Sequence, residues 1–398
     1  SQRQLIPRIH DHVTVVDSQE QFLHVPEPGV VSLEVAPTRR SAREQVARTL
    51  RRRGARLIGH RVAPVAQLGR LKVEAPLRQG LAAYLNDLHR PPAPIDMQRI
   101  AVTSSGVSAL MLAAQNLLDP GDEAVVLTPH WPNIGEIPRI LNAELVTVPL
   151  QLREDLWRLD LDRLLDAITP KTKVVWINSP NNPTGFVLDP AGQRAVLERC
   201  RKLGTWIVSD EVYSRLYFAG DAAKPVAPSF LDVAHAEDRL VVVNSFSKAW
   251  AMTGWRLGWL VTPNGWDRLL PNVIEYNTSC ATEFAQYAAI VALQRGEPFV
   301  AQSVARYRAA RDLVGELLSC SPRIRAPNPQ AAFYSFFAID GERDSLALAK
   351  RLVSQIGVGL APGIAFGPEG EGHMRLCFAA EQATLRVALD RLAAAIDA

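Results

Sequence analysis

Between residues 99 and 262, short β-branched runs alternate with helical segments, and this alternation constrains the fold more than any other property of the chain. Strands separated by helical patterns of about 10–15 residues are best satisfied by an α/β layer built on a mainly parallel sheet. Arg99–Thr103 reads as a strand and Gly106–Leu118 as a helix, with the turn Asp119–Asp122 before a second strand, Glu123–Leu127. Further strands are expected at Leu145–Val148, Lys173–Ile177, Thr205–Ser209, Leu240–Asn244 and Leu257–Val261. After Pro271 the texture changes. Long helices are expected over Thr282–Leu318, interrupted at Gly296-Glu297-Pro298. Strands follow at Ala332–Ile339 and Met374–Phe378, and helices at Leu346–Gln355 and Gln382–Ile396, a pattern fitting a smaller α+β domain.

Such sheets bind ligands beyond the carboxyl ends of their strands. Polar segments fall there: Thr103–Ser108, Pro129–Asn133, Asn178–Gly185, Asp210–Tyr213 and Ser245–Lys248. Lys248 follows the apolar run Leu240–Val243, and the chain has only seven lysines. A desolvated lysine amine has a lowered pKa and attacks carbonyls. Flanking hydroxyls, Ser245 and Ser247, with Arg256 eight residues on, suit a phosphate dianion. An aldehyde-capturing lysine beside a phosphate clamp describes a site for pyridoxal 5′-phosphate (PLP). Taken alone, Lys248 also reads as a surface lysine in a serine-rich turn.

Asp210, at the end of Trp206–Ser209, would be costly to bury unless it meets a cation, and a pyridinium nitrogen is one. By itself it also reads as a helix cap. Tyr213 and Asn182 stand where they could both reach a phenolate oxygen. Asn182 belongs to Asn178-Ser179-Pro180-Asn181-Asn182-Pro183-Thr184-Gly185, whose two X-Pro pairs and glycine enforce a rigid turn. Ser105-Gly106-Val107 opens a helix whose free amides suit phosphate, although many such turns only cap helices. Trp131 is a ring able to stack on a flat heterocycle, or a core side chain.

Composition excludes little. The chain has 398 residues, 47% hydrophobic and 21% charged, enough for two domains. No apolar stretch approaches the roughly 18–20 residues of a membrane helix, and Ser1–Pro7 lacks the apolar core of a secretory signal. Cys200, Cys280, Cys320 and Cys377 are widely spaced with no CxxC pair, which argues against a zinc site and fits a reducing cytoplasm. A net charge of +3 does not imply nucleic acid, although Thr38–Arg61 holds nine arginines and one acid, Glu44.

Taken together, Asn178–Gly185, Asp210–Tyr213 and Ser245–Gly258 resemble the NPxNPTG, D-x-x-Y and S-x-S-K-x-x-x-x-x-G-x-R-x-G motifs of the class I/II aminotransferases, fold-type-I PLP enzymes typified by aspartate aminotransferase. The resemblance covers residues 75–395. It implies a mainly parallel seven-stranded sheet flanked by helices in a large domain, plus a smaller α+β domain. The expected parts are an N-terminal segment over residues 1–45 that contributes to the small domain, a PLP-binding domain over 46–280, and an interdomain helix with the small domain over 281–398.

The resemblance further implies that Lys248 forms an internal aldimine, Asp210 pairs with the ring nitrogen, and Asn182 and Tyr213 hold the phenolate oxygen. Trp131 would stack on the ring, and Ser245, Arg256 and Ser105-Gly106-Val107 would hold the phosphate. Arg375 matches the arginine that clamps a substrate α-carboxylate, although by itself it reads as an edge-strand arginine. A homodimer and a ping-pong exchange between an α-amino acid and an α-ketoacid follow from the same resemblance.

Two stretches depart from the pattern. Many relatives have glycine in a substrate-touching loop where this chain has Val35-Ala36-Pro37-Thr38, and a cross-subunit tyrosine where Leu68 aligns. The departures leave open a PLP-dependent lyase, decarboxylase or cyclase on the same fold. A PLP-binding regulator is more distant, since such proteins carry an extra DNA-binding domain and only about 75 residues precede the recognisable region here. No arginine can be assigned to a second substrate carboxylate.

Overall fold

Runs such as Leu240-Val241-Val242-Val243 are stable in a sheet only where both faces are covered. The computed structural model of the chain, which describes residues 74–220 and 224–397, shows what covers them. Ala36, Leu68 and the basic run Thr38–Arg61 lie outside the described residues.

Helix α1 (Glu74–His89) leads into β1 (Ile100–Thr103), α2 (Gly106–Leu117), β2 (Glu123–Thr128), α3 (Pro132–Ile140) and β3 (Glu144–Pro149). A hairpin of β4 (Gln151–Arg153) and β5 (Leu156–Arg158) precedes α4 (Leu161–Ala167), β6 (Thr172–Asn178), α5 (Pro190–Leu203) and β7 (Trp206–Asp210). Next come β8 (Leu240–Ser245), β9 (Gly258–Val261), α6 (Leu270–Thr278), α7 (Glu283–Arg295) and α8 (Glu297–Leu318). The C-terminal part holds β10 (Ile324–Arg325), β11 (Tyr334–Ile339), α9 (Ser345–Ile356), β12 (Ala361–Pro362), β13 (His373–Cys377) and α10 (Gln382–Asp397).

Seven strands form one sheet in the order β1-β9-β8-β7-β6-β2-β3. Strand β9 runs antiparallel to both neighbours, and the other pairs are parallel. The carboxyl ends of β1, β8, β7, β6 and β2 therefore share one edge. Alternate residues of each strand enter opposite cores. Val125, Val175, Ile207 and Val242 pack on the side of α1 and α5, through Leu77, Leu81, Val196 and Leu197. Val126, Trp176, Val208 and Val243 pack on α2 and α3, through Ala109, Leu110, Ile134 and Ile137. This is the fold-type-I α/β architecture. A second, antiparallel sheet, β10-β11-β13-β12, occupies the C-terminal part.

Local chemistry sets the helix ends. Asp189 caps α5 by accepting from the Gly192 N–H at 2.7 Å, Pro190 fills its first turn, and Gly204 ends it in the left-handed conformation. The interruption expected at Gly296-Glu297-Pro298 is the break between α7 and α8. Several element ends shift by one or two residues; the strand expected over Ala332–Ile339, for example, begins at Tyr334. Within the polar segment Pro129–Asn133, Pro132 opens α3. The strand read as Leu257–Val261 begins one residue later, since Arg256 takes a left-handed φ of 52°.

Gly258 ties the two ends of this architecture together. It pairs with Thr103 on one side and Ser245 on the other. A Cβ there would lie 2.6 Å from the Gly106 nitrogen and 2.6 Å from the Ser105 carbonyl carbon, both backbone atoms. Gly258→Ala is therefore expected to cost about 1–3 kcal/mol through forced backbone shifts. Gly254→Ala, whose added carbon would meet nothing within 4 Å, serves as the control. Thermal unfolding of the two variants should separate them; equal midpoints would contradict this packing.

Candidate active site

The loop from β8 to β9 carries Lys248 and is pinned by backbone bonds from the Phe246 N–H to the Leu257 carbonyl and from the Met252 N–H to the Phe246 carbonyl. Aromatic packing fixes its underside: the ring of Phe246 lies 5.0 Å from both Trp250 and Trp259. The half-buried Lys248 amine stands 5.2 Å above the Tyr213 ring and 5.3 Å above that of Phe333. It is thus held over aromatic faces, where a cation gains attraction at the cost of hydration.

Asp210 ends β7 beside Asn178 and Val243 in the sheet register. The Asn178 amide and the Ser179 N–H both donate to the Asp210 carbonyl at 3.1 Å, while the Val212 N–H reaches its carboxylate at 3.3 Å. Burial pushes the Asp210 carboxyl up to about 7; the Val212 N–H opposes the rise, the Glu211 charge adds to it, and Lys248 opposes it. Glu211 has its own partners, accepting from the Ser209 and Ser229 hydroxyls at 2.8 and 2.6 Å and from the Phe230 N–H at 3.2 Å. Burial raises its pKa as well.

Asn178 also accepts, at 2.9 Å, from the Asn182 N–H, so the strand end shapes the turn that follows. The Asn182 side-chain oxygen accepts from Arg375 at 2.9 Å. Arg375, on β13 of the second sheet, is buried with its guanidinium 4.2 Å over the Tyr334 ring and 4.8 Å over that of Phe366. The hydroxyls of Tyr334 and Tyr213 are 3.0 Å apart. Direct contacts thus link Lys248, Tyr213, Tyr334, Arg375 and Asn182, and charge couples Asp210 to Lys248. The reading of Arg375 as an exposed edge-strand residue is excluded, because β13 lies between β11 and β12.

The remaining expected residues share the same sheet edge. Ser105 caps α2 by accepting from the Ser108 N–H at 3.1 Å, and Val107 lies in the first turn of that helix. An added carbon on Gly106 would sit 3.3 Å from Val212 and 3.4 Å from the Ser245 Cβ, so this turn abuts Ser245. Ser245 accepts from the Ser247 N–H at 3.0 Å. Arg256 is exposed and donates to the Thr253 carbonyl at 3.1 Å. Trp131 is half-buried just before α3, and its neighbour His130 donates its backbone N–H to the Phe366 carbonyl at 3.0 Å.

The chain also matches known proteins. The family model for aminotransferases of class I and II matches residues 46–392. The chain belongs to that family. It is 34% identical to the aspartate aminotransferase of Thermotoga maritima over 317 residues, covering 79% of this chain and 80% of the relative. It is 35% identical to an arginine–pyruvate transaminase of Pseudomonas aeruginosa over 320 residues, covering 80% and 79%. Among solved structures, the Thermotoga maritima aspartate aminotransferase superposes with a TM-score of 0.76 at 29% identity, covering 98% of this chain and 92% of that one. The protein is an aminotransferase, an enzyme acting on small molecules. Among the described residues, no helix is long and apolar enough to cross a membrane.

Asn178, Phe333, Tyr334 and Phe366 join the site without a motif of their own that assigns them a role in it. Phe333 and Tyr334 fall in the run Ala331–Ile339, apolar but for Ser335, which reads as a core strand.

The charge of Asp210 has a measurable consequence for stability. Its folded value of about 7 lies above the unfolded value of about 3.9, so burial favours the protonated form. The stability it contributes is full below about pH 4 and lost as pH rises to about 7. In ligand-free protein, Asp210→Asn should lose less stability than wild type across this window, by on the order of 3 kcal/mol. Parallel pH profiles of chemical unfolding for the two proteins would refute the assignment.

Proposed function

We propose that this aminotransferase uses PLP, held by Lys248 and the surrounding strand ends, to move an amino group from an α-amino acid to an α-ketoacid in ping-pong order. The observation carrying this reading is the contact chain from Lys248 through Tyr213 and Tyr334 to Arg375 and Asn182, set beside the buried carboxylate of Asp210.

The residues fit the cofactor on two counts. A buried carboxylate is anionic near neutral pH only against a cation, so Asp210 suits a protonated ring nitrogen. The Ser105-Gly106-Val107 turn presents free helix amides beside Ser245, with no side chain on Gly106 or Gly258 to fill the space, and suits a phosphate. Arg256 would add a cation there. When bound, PLP supplies an aldehyde and an electron-withdrawing ring that stabilises negative charge at a substrate carbon. Asn182 and Tyr213 would donate to its phenolate oxygen, and Trp131 would lie against its ring.

In this reading the Lys248 amine is the general base at the donor Cα. Asp210 would hold its carboxylate against the ring nitrogen, and Arg375 would hold the donor carboxylate by paired hydrogen bonds, with Tyr334 and Phe366 covering its guanidinium. With its carboxylate held by Arg375 and its nitrogen held at the cofactor, the donor would be fixed at two points, which directs one Cα–H bond toward Lys248.

A homodimer belongs to the same reading. Phe284, Tyr287 and Val291 lie at helical spacing on α7, exposed by 70%, 55% and 52%, and Trp255 joins them through a 6.5 Å ring contact with Phe284. Such an apolar face favours a second subunit. Of the expected parts over residues 1–45, 46–280 and 281–398, the division near residue 280 is supported by the passage from one sheet to the other between Val261 and Ile324, while the division at residue 45 lies outside the described residues. The four free thiols support a cytoplasmic location. Relatives named for aspartate, arginine–pyruvate and, in a Pyrococcus horikoshii structure, aromatic transfer differ in substrate, so the donor is left to experiment.

Single amino acids, among them glutamate, aspartate, alanine, arginine and aromatic donors, should be added to loaded enzyme without ketoacid. At least one should release one equivalent of its ketoacid per site and then stop. Continuous release of ammonia or carbon dioxide, or of a cyclised product, would replace transfer by elimination, decarboxylation or cyclisation.

A further inference from the structure

Tyr334 is fully buried at the start of β11, two residues before Phe336, which pairs with Arg375 across the strands. Residues two apart on a strand share a face, so Tyr334 and Arg375 are diagonal neighbours. That placement explains why the guanidinium lies 4.2 Å over the Tyr334 ring while the Tyr334 hydroxyl reaches that of Tyr213 at 3.0 Å.

Each hydroxyl of such a pair has one proton to give. If Tyr213 donates to an oxygen of bound cofactor, its own oxygen must accept, and Tyr334 is the donor in place. A hydroxyl that accepts one hydrogen bond donates a stronger one. The ring of Tyr334 acts independently of its hydroxyl, since an aromatic face attracts a desolvated guanidinium and limits its rotation. Among the described residues, charged groups at the pair include Arg375, 4.2 Å over the Tyr334 ring, and Lys248, 5.2 Å from the Tyr213 ring; Asp210 lies three residues before Tyr213 in the chain.

Resting on the PLP reading above, we propose that Tyr334 is a positioning residue of the transfer reaction. Its hydroxyl directs the Tyr213 O–H and its ring seats the Arg375 guanidinium. One side chain therefore aligns the contact to the cofactor oxygen with the contact to the substrate carboxylate.

The test compares loaded wild type, Tyr334→Phe, Tyr334→Leu and Tyr213→Phe by two readouts. The first is the pH midpoint of the visible absorbance change of lysine-bound cofactor, which reports hydrogen bonding to the cofactor oxygen. The second is donor KM against kcat. Tyr334→Phe keeps the ring and should raise the midpoint by about 0.5 unit, in the same direction as Tyr213→Phe, with KM changed by less than about threefold. Tyr334→Leu should also raise KM by about tenfold. Circular dichroism and cofactor stoichiometry report folding, and Tyr334→Phe carries the test if the leucine variant does not fold. A normal midpoint in Tyr334→Phe beside a shifted one in Tyr213→Phe overturns this inference alone. A wild-type enzyme with no lysine-bound cofactor signal overturns the PLP reading, and this inference with it.

Discussion

A carboxylate at the end of a strand covered on both faces has lost most of its hydration, and its charge must then be stabilised by something other than water. Asp210 is in that position, and the structure around it is arranged accordingly. Its backbone carbonyl takes two hydrogen bonds from the next strand, while its carboxylate receives one N–H and the field of Lys248. One N–H and a nearby ammonium do not offset the desolvation, so the carboxyl stays near neutral pH in its affinity for protons. A bound cation would complete the arrangement, and the proposed reaction needs one there.

Parallel strand order brings the other groups to the same edge. Strands β8 and β7 are neighbours, so Lys248 and Asp210 face one crevice, and β6 brings the Asn178–Gly185 turn alongside. Between β8 and β1 stands β9, and glycine at position 258 lets the α2 turn approach Ser245. The second sheet adds Arg375 and Tyr334, joined to the first by contacts of side chains that are themselves buried. Burial serves two ends in this arrangement: it raises the strength of each electrostatic contact and limits the number of rotamers each group can adopt.

Much of this was legible in the sequence because it is local. Lys248, Asp210 and Asn182 each follow an apolar run within a few residues, so strand periodicity alone places them at strand ends. The break between α7 and α8 was legible from Gly296 and Pro298. What escaped was either short or distant. The β4–β5 hairpin has three-residue arms joined through Glu154 and Asp155, both at positive φ, a turn that lacks the usual Asn-Gly signal. Tyr334 escaped for a different reason: its contacts are to Tyr213, 121 residues away, and to Arg375 on another strand. Within β11 its pattern is that of any core residue, and only the register with β13 reveals it.

On the reading proposed here, the amine of Lys248 is the one that captures an aldehyde. Loaded enzyme reduced with borohydride and digested would fix a pyridoxyl group at its point of attachment. A single labelled peptide containing Lys248 is the predicted result. Label at another lysine, or spread evenly over the exposed lysines, would contradict it.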